Sequence, residues 1–343
     1  MATFRGKIYN DNVFEKYLKT LPSTKENGLI NSAIFKKVNK YGAKLSEQTG
    51  GYFITEPIKG RIGGDPVNYD GQTDITSNER DTYFQTKIAI GRANAWGEDD
   101  FVTELTGTNF MAEAQEVKDY WDGIKQGLAL SMLKGMFGMA DAQNDNFALN
   151  HTYEVEGNLS ADDCNKASQK ALGDKKANLK VMIMHSAVST NLEGLQLINF
   201  LKYTDKDGIE RDLTIGQYNG KLVIVDDEMP VEEVEDEAGN YNKYTTYMFS
   251  EGFFEFEEVG VKTPSELSRN ATQRGGHTDL ISRVRYVIVP QYISYKSKTA
   301  LSPTNEQLET GSNWEVANNG ATGINKKFVN TKLIPVVRII SRG

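Results

Sequence analysis

His185-Ser186 invites a nucleophile–base reading, in which the imidazole takes the hydroxyl proton. Adjacent residues on a strand point to opposite faces, so the pair needs a sharp turn to meet. The structural reading is preferred: Ser186 caps a helix and His185 makes a hydrogen bond. The three histidines, His151, His185 and His277, are not at helical spacing from one another, so no imidazole metal site is laid out locally. Cys164 is the single cysteine, which excludes an internal disulfide and an all-cysteine metal site. It falls in an expected helix, where an inert buried thiol is the default. Gly216-Gln217-Tyr218-Asn219-Gly220-Lys221-Leu222 looks like a phosphate-binding loop, but it is one residue short, and Leu222 stands where Ser or Thr must hold magnesium. Trp96, Trp121 and Trp314 are too scattered for a base-stacking platform or sugar site, and Trp121 falls on an apolar helical face. No GxSxG, HExxH, calcium loop or GxGxxG occurs. No catalytic, cofactor-binding or metal-ligating residue is assigned, and an enzyme is not expected.

Composition narrows the field. The 343 residues carry 47 acidic against 39 basic side chains, a net charge of −8, which argues against a generally basic nucleic-acid binder. Hydrophobic residues, at 38%, suffice for a core. The length suits about two domains or one elaborated one. No apolar run reaches the roughly 18 residues of a membrane span. The best candidate, residues 127–140, is short and carries Lys134. The opening residues run into polar sequence without a secretory pattern, so a soluble protein made in a reducing cytoplasm is expected. Charge is uneven along the chain. Residues 1–61 hold eleven Lys/Arg against five Asp/Glu, a balance of +6 that leaves −14 for the remaining 282. Residues 226–237 pack eight carboxylates into twelve positions. Such a run repels itself and stays solvated, so an exposed loop is expected. The sharper reading is a basic N-terminal arm that meets acidic surface on a neighbouring copy.

These residues need elements to hold them. Residues 1–50 lack sustained periodicity and read as an arm, with helical turns suggested at Val13-Phe14 with Tyr17-Leu18, and at Ile34-Phe35 with Val38. Residues 52–55 and 84–90 read as strands on either side of 28 polar, glycine-rich residues. A hairpin that long is marginal alone in water, so it folds onto its own subunit or another subunit supplies its surface. Asp99 or Asp100 caps a short helix that stops at Gly107. Asn109 starts the next. Phe110, Ala114, Val117, Trp121, Ile124, Leu128 and Met132 then recur at spacings of three and four, one face of a long amphipathic helix. Gly123 and Gly127 on it suggest close approach of another element. Residues 160–163 form a capping box before a helix ended by Gly173. Residues 179–184 are a short buried strand, followed from His185-Ser186 by a helix to about Leu201. Residues 213–218 and 221–225 flank Asn219-Gly220, which suits a two-residue turn with positive φ at both positions. Residues 244–249, 253–256, 280–289 and 333–340 are further strands. Helices and strands are segregated rather than alternating, which gives an α+β class.

Two blocks carry more than local structure. The first is Ala93-Asn94-Ala95-Trp96-Gly97-Glu98-Asp99-Asp100, continuing through Phe101 and Leu105-Thr106-Gly107 into Val117-Lys118-Asp119-Tyr120-Trp121 and Gly135-Met136-Phe137-Gly138. The second is Met182-Ile183-Met184-His185-Ser186-Ala187-Val188 with Leu192 and Leu195 to Ile198, running on to the 216–230 segment that ends Val225-Asp226-Asp227-Glu228-Met229-Pro230. In order and spacing these blocks resemble the major capsid proteins of tailed bacteriophages (Caudoviricetes). In that family a short helix between a Trp and a Gly leads into a long spine helix with a Tyr-Trp pair. A His-Ser helix start then precedes an acidic-ended hairpin. Phe249-Ser250-Glu251-Gly252 and the strand around 283–290 fit the family's pattern beyond that hairpin. The resemblance covers about residues 80–300.

The resemblance implies an α+β Hong Kong 97-like fold. It would place an N-terminal arm at 1–50 and an extended loop at 51–97. A peripheral domain would come from 98–154 and 276–343, with the spine helix near 109–138, and residues 155–275 would be mainly the axial domain. It also implies a structural role in the virion: self-assembly as hexamers and pentamers into an icosahedral shell around double-stranded DNA, held without sequence specificity. Assembly would take place in the bacterial cytoplasm. Implied partners are further copies of the chain and portal and decoration proteins. No propeptide is evident before residue 50, so a separate scaffold protein, or none, is expected. No cofactor, metal or membrane is implied. The Lys–Asn crosslink of some members does not map onto this chain. Competing readings are an encapsulin-type nanocompartment shell, a cytoplasmic hydrolase using His185 and Ser186, and a tail-tube or decoration protein.

Overall fold

The structure is a computed structural model that describes residues 3–4, 7–8, 34–47, 52–75, 77–106, 114–204, 210–236 and 239–342. Along the chain, β1 (Thr3–Phe4) and β2 (Lys7–Ile8) pair with each other, and β3 (Phe35–Lys37), α1 (Tyr41–Glu47), β4 (Phe53–Lys59) and β5 (Thr82–Asp99) come after them. Then come α2 (Asp100–Thr106), α3 (Ala114–Phe137), α4 (Phe147–His151), β6 (Thr152–Asn158), α5 (Asp163–Leu172), β7 (Val181–Met184), α6 (Ser186–Gly194) and β8 (Asn199–Thr204). The rest is β9 (Glu210–Tyr218), β10 (Lys221–Val225), β11 (Val231–Asp236), β12 (Gly239–Phe249), β13 (Phe254–Glu258), β14 (Ser265–Asn270), β15 (His277–Pro290), β16 (Ile293–Tyr295), α7 (Asn305–Glu309), β17 (Trp314–Val316) and β18 (Val336–Arg342).

Two large sheets organise these elements. The first runs β3-β13-β15-β5-β4, with β14 also on β15, and the second runs β6-β18-β12-β7-β10-β9-β8, with β11 on β12. The sheets exchange strands along the sequence: β13 and β14 lie in the first, while β18, at the chain's end, lies in the second. The class is α+β, as expected.

Burial explains the residue choice. All four residues of β7 are buried. Val181 and Ile183 face one core with the end of α3, and Met182 and Met184 face another built by α5 and α6. A strand covered on both faces has no use for polar alternation, so it reads as an unbroken apolar run. In α5, Cys164, Ala167 and Ala171 put a small-residue face onto that sheet. Gly173 ends the helix at φ 59°, a conformation that favours glycine. Asn219 and Gly220 take φ 50° and 74° in the tight turn between β9 and β10, as the dipeptide predicts.

The long helix is described from Ala114, and Asn109 and Phe110 lie outside the described residues. Trp121, Leu128 and Met132 are buried, and Ile124 packs at the edge of the core. The indole of Trp121 donates to the Ser282 hydroxyl on β15 at 2.9 Å. Trp96 on β5 meets it edge-on at 6.4 Å, so two of the three tryptophans that look scattered in sequence pack together. The close approach expected at Gly127 does not occur, since nothing would lie within 4 Å of an added Cβ there. It occurs at Gly135, where that atom would fall 1.9 Å from the Leu308 carbonyl oxygen of α7.

Three further expectations are corrected. Phe35–Lys37 is a strand, not a helical turn, because it pairs in parallel with β13. The turns suggested at Val13 to Leu18 lie outside the described residues. The helix after His185 stops at Gly194 rather than near Leu201. Gln196 takes φ 57°, and β8 then pairs with β9. The acidic run is not a loop throughout, since Val231–Asp236 is a strand laid antiparallel on β12.

Trp121→Ala is expected to lower unfolding stability by about 3–5 kcal/mol, because it removes a buried aromatic and leaves a cavity. Gly135→Ala is expected to cost at least about 1–3 kcal/mol through overpacking against α7. Chemical denaturation of the purified chain, followed by circular dichroism, checks both.

Candidate functional site

A long exposed loop closes the hairpin of β4 and β5, whose strands themselves belong to the first sheet. The two strands pair antiparallel from Phe53↔Ile88 to Lys59↔Thr82. Beyond them the described residues of the 61–81 segment are all exposed, with Ile62 81%, Tyr69 91% and Ile75 74% exposed. Apolar side chains held in water on a projecting loop are suited to covering another surface. The loop still has internal order. Arg80 donates to the Gly60 carbonyl at 2.7 Å and closes the neck. The Asp70 carboxylate accepts from the N–H groups of Gln72 (2.8 Å) and Thr73 (2.7 Å) and from the Thr73 hydroxyl (2.9 Å). Those bonds hold its carboxyl down at about 2.

The base of the hairpin is fixed by a charge network. Lys87 on β5 has a side chain only 4% exposed, and its ammonium donates to Glu56 on β4 and to the Tyr41 hydroxyl at 2.8 Å. Tyr41 in turn donates to Glu255 on β13, and Lys40 pairs with the same carboxylate at 2.7 Å. Next to it, Glu257 accepts from the backbone N–H groups of Lys40, Tyr41 and Gly42 at 2.8, 2.7 and 2.7 Å. That carboxylate satisfies the open donors at the start of α1 from a strand more than 200 residues away. Burial pushes the Tyr41 hydroxyl well above the ordinary tyrosine range, and Glu255 adds to the push. Burial alone would raise Glu56, but hydrogen bonds from Lys44 and Lys87 overcome it and bring the carboxyl to about 2.

A second charged cluster, which has no local sequence signature, closes the far end of β5. His277 Nδ1 lies 2.5 Å from Asp99 and its Nε2 lies 3.1 Å from Asp279. Arg269 holds both oxygens of Asp100, at 3.0 and 2.6 Å. The His277–Asp99 pair is 178 residues apart in sequence, which hides it from any reading by spacing.

The residues singled out for chemistry take structural places. His185 itself caps α6: its Nδ1 accepts the Ala187 N–H at 3.1 Å, so His185, not Ser186, is the capping residue. The Ser186 hydroxyl is 3.5 Å from that same nitrogen, and Asp227 is 3.8 Å from the other. A ring nitrogen already occupied by a backbone N–H is a poor general base for Ser186. Cys164 is buried, and burial pushes its thiol up to about 12. The 160–163 box forms half as expected. Asp163 accepts from the Ser160 N–H at 2.8 Å, but the Ser160 hydroxyl donates to that same carboxylate at 2.6 Å instead of accepting from the helix. Most of the basic arm lies outside the described residues.

No family model matches the chain. Its sequence is 29% identical over 296 residues to the major capsid protein of Bacillus phage SPP1, covering 85% of this chain and 87% of that protein. Among solved structures it matches the cyanophage Pam1 capsid at TM-score 0.53 and 13% identity, covering 91% of this chain and 90% of that one. It matches the capsid of Ralstonia phage GP4 at TM-score 0.51 and 11% identity, covering 79% and 85%. The chain is similar to a phage major capsid protein in sequence and carries a phage capsid fold. The resemblance seen in the Trp96–Gly138 and Met182–Pro230 blocks therefore holds.

The network at the hairpin base of this capsid-fold chain gives it an acid limit. The folded-state value of Glu56, about 2, lies below its ordinary 4.5. Its contribution is complete above that ordinary value and is lost as pH falls from about 4.5 towards 2. Glu56→Gln is expected to flatten the dependence of stability on pH across that window, read from denaturation midpoints at stepped pH.

Proposed function

We propose that this chain is the major capsid protein of a tailed phage or prophage, with a Hong Kong 97-like fold in which α3 is the spine helix. The relation to the SPP1 major capsid protein along 85% of the chain carries this reading. Its role is structural. Copies associate as hexamers and pentamers through heterologous contacts, and the rings close into an icosahedral shell around double-stranded DNA. Each contact is modest, but every subunit makes several at once, and effective concentration within the shell multiplies them.

The domain layout accords with the same reading. Residues 1–50 supply an arm whose last part, β3 and α1, joins the body, and 51–97 supply an extended loop, whose exposed Ile62, Tyr69 and Ile75 cover a neighbouring subunit, together with the core part of β5. Residues 98–154 and 276–343 give mainly the peripheral domain, and 155–275 mainly the axial one. β18 is contributed to the axial sheet and β13 and β14 to the peripheral sheet. A separate scaffold, portal and decoration proteins would meet the shell during assembly in the host cytoplasm. With −8 per copy, subunits repel at low salt, where the screening length reaches roughly 30 Å at 0.01 M. An acidic body also avoids gripping DNA that must enter and leave.

Expression of the chain alone, followed by negative-stain electron microscopy and size-exclusion chromatography, tests the reading. Closed shells or capsomer rings are expected, in greater yield as ionic strength rises from about 0.01 to 0.1 M. Tubes, or esterase activity lost in Ser186→Ala, would overturn it. Deleting residues 1–33, which keeps β3 on β13, is expected to impair particle formation while leaving a folded subunit, and normal shells from that truncation would remove the role given to the basic arm.

A further inference from the structure

One end of the second sheet gathers more cations than counter-charges. Lys180 directly precedes β7 and Lys221 opens β10, and these strands run parallel, so both lysines lie at the same end. There Lys176, Lys180 and Lys221 line a cavity of about 210 Å³, with Asn165 and Asn219 beside them. An adjoining cavity of about 510 Å³ shares Lys180 and adds Lys175, Lys332 and, from the β4–β5 loop, Arg61, against the single carboxylate of Glu251. Lys221 is only 6% exposed, and burial holds its ammonium below the ordinary lysine value, with nearby Lys176 adding to the effect. Among the described residues, none of these five ammonium groups has a hydrogen-bond or ion-pair partner. A largely buried cation left unpaired is costly, so the cavities suit an incoming carboxylate.

The opposite end of the same strands is acidic. β7 and β10 finish at Met184 and Val225, and Asp226, Asp227 and Glu228 come directly after Val225. β11 then carries Glu232, Glu233 and Glu235, all exposed; Glu232 stands opposite Lys243 and acts on its charge, while Glu233 and Glu235 have no hydrogen-bond or ion-pair partner among the described residues. It pairs with β12 from Tyr244 to Gly239, whereas β7 pairs with Tyr247, Met248 and Phe249. At about 3.3 Å per strand residue, Glu235 lies roughly 30 Å from Lys180. These opposite charges cannot meet within one copy. Between copies they match head to tail, which is the heterologous geometry that builds rings and shells.

We propose that the acidic segment 226–236 of one copy seats its carboxylates in the lysine-lined cavities of a second copy. The contact rests on the capsid reading above and names one interface within it. The test treats particles and free subunits of the full chain with a zero-length carbodiimide, which joins a carboxylate to an amine, followed by peptide mass spectrometry. Links from Glu232, Glu233 or Glu235 to Lys175, Lys176, Lys180 or Lys332 are expected in particles and not in free subunits. Particles crosslinked elsewhere but not there would overturn the contact and leave the capsid reading standing. If the chain forms no particles either alone or with the scaffold protein of its own phage, both fall. Charge reversal gives an independent readout. Lys176→Glu with Lys180→Glu, or Glu232→Lys with Glu233→Lys, is expected to abolish particles, and the four changes together to restore them. Circular dichroism checks that each variant folds. A fourfold variant no better than either pair would overturn the proposal. So would a lysine variant that assembles normally but loses retained DNA, since the occupant would then be a phosphate backbone.

Discussion

Eleven consecutive residue pairs, from His277↔Asp99 to Val287↔Ala89, join β5 to β15. That ladder fixes one eighteen-residue strand in three roles. Its outer part pairs with β4 and carries the projecting loop. Its middle puts Ile88 and Ile90 into the core shared with α3. Its far end delivers Asp99 to His277 and Asp100 to the start of α2. A long antiparallel strand is stiff along its length, so whatever holds its inner half also aims its outer half. The loop therefore leaves the body in a set direction although its own tip is bare.

Charge does the finer anchoring. Lys87 is nearly out of water and needs neutralising partners in fixed places. Glu56 and Tyr41 provide them from β4 and α1, and Glu255 and Glu257 extend the network to β13. The hairpin base, α1 and the first sheet are thereby held by the same few groups. On the other face of that sheet, α3 is buried by hydrophobic contact along its last turns, with Gly135 allowing α7 to sit against its backbone. The protein thus combines a packed body with extended parts that carry exposed apolar and charged groups.

The capsid resemblance rested on residues whose physical roles are now visible. Trp96, Tyr120 and Trp121 pack edge-on, with ring centroids 5.1–6.4 Å apart, where β5 crosses the start of α3. His185 and the Asn219-Gly220 turn close strands of the second sheet. Each is a junction between elements, where few residue types serve.

The sequence by itself determined what short-range physics decides. The apolar spacing of α3, the stop of α5 at Gly173, the Asn219-Gly220 turn and the unbroken apolar β7 are all settled by residues within a turn or two of one another. Only the tertiary structure decided that Phe35–Lys37 is a strand, that a strand begins at Asn199, and that part of the acidic run lies against β12. The Lys87 and His277 networks belong with these. In each case the deciding partner sits far off in the chain, as with Phe254 for Phe35 or Glu257 for Tyr41. Local periodicity carries no record of which distant strand will supply a hydrogen-bonding edge or a counter-charge, so pairing across the fold overrides local preference there.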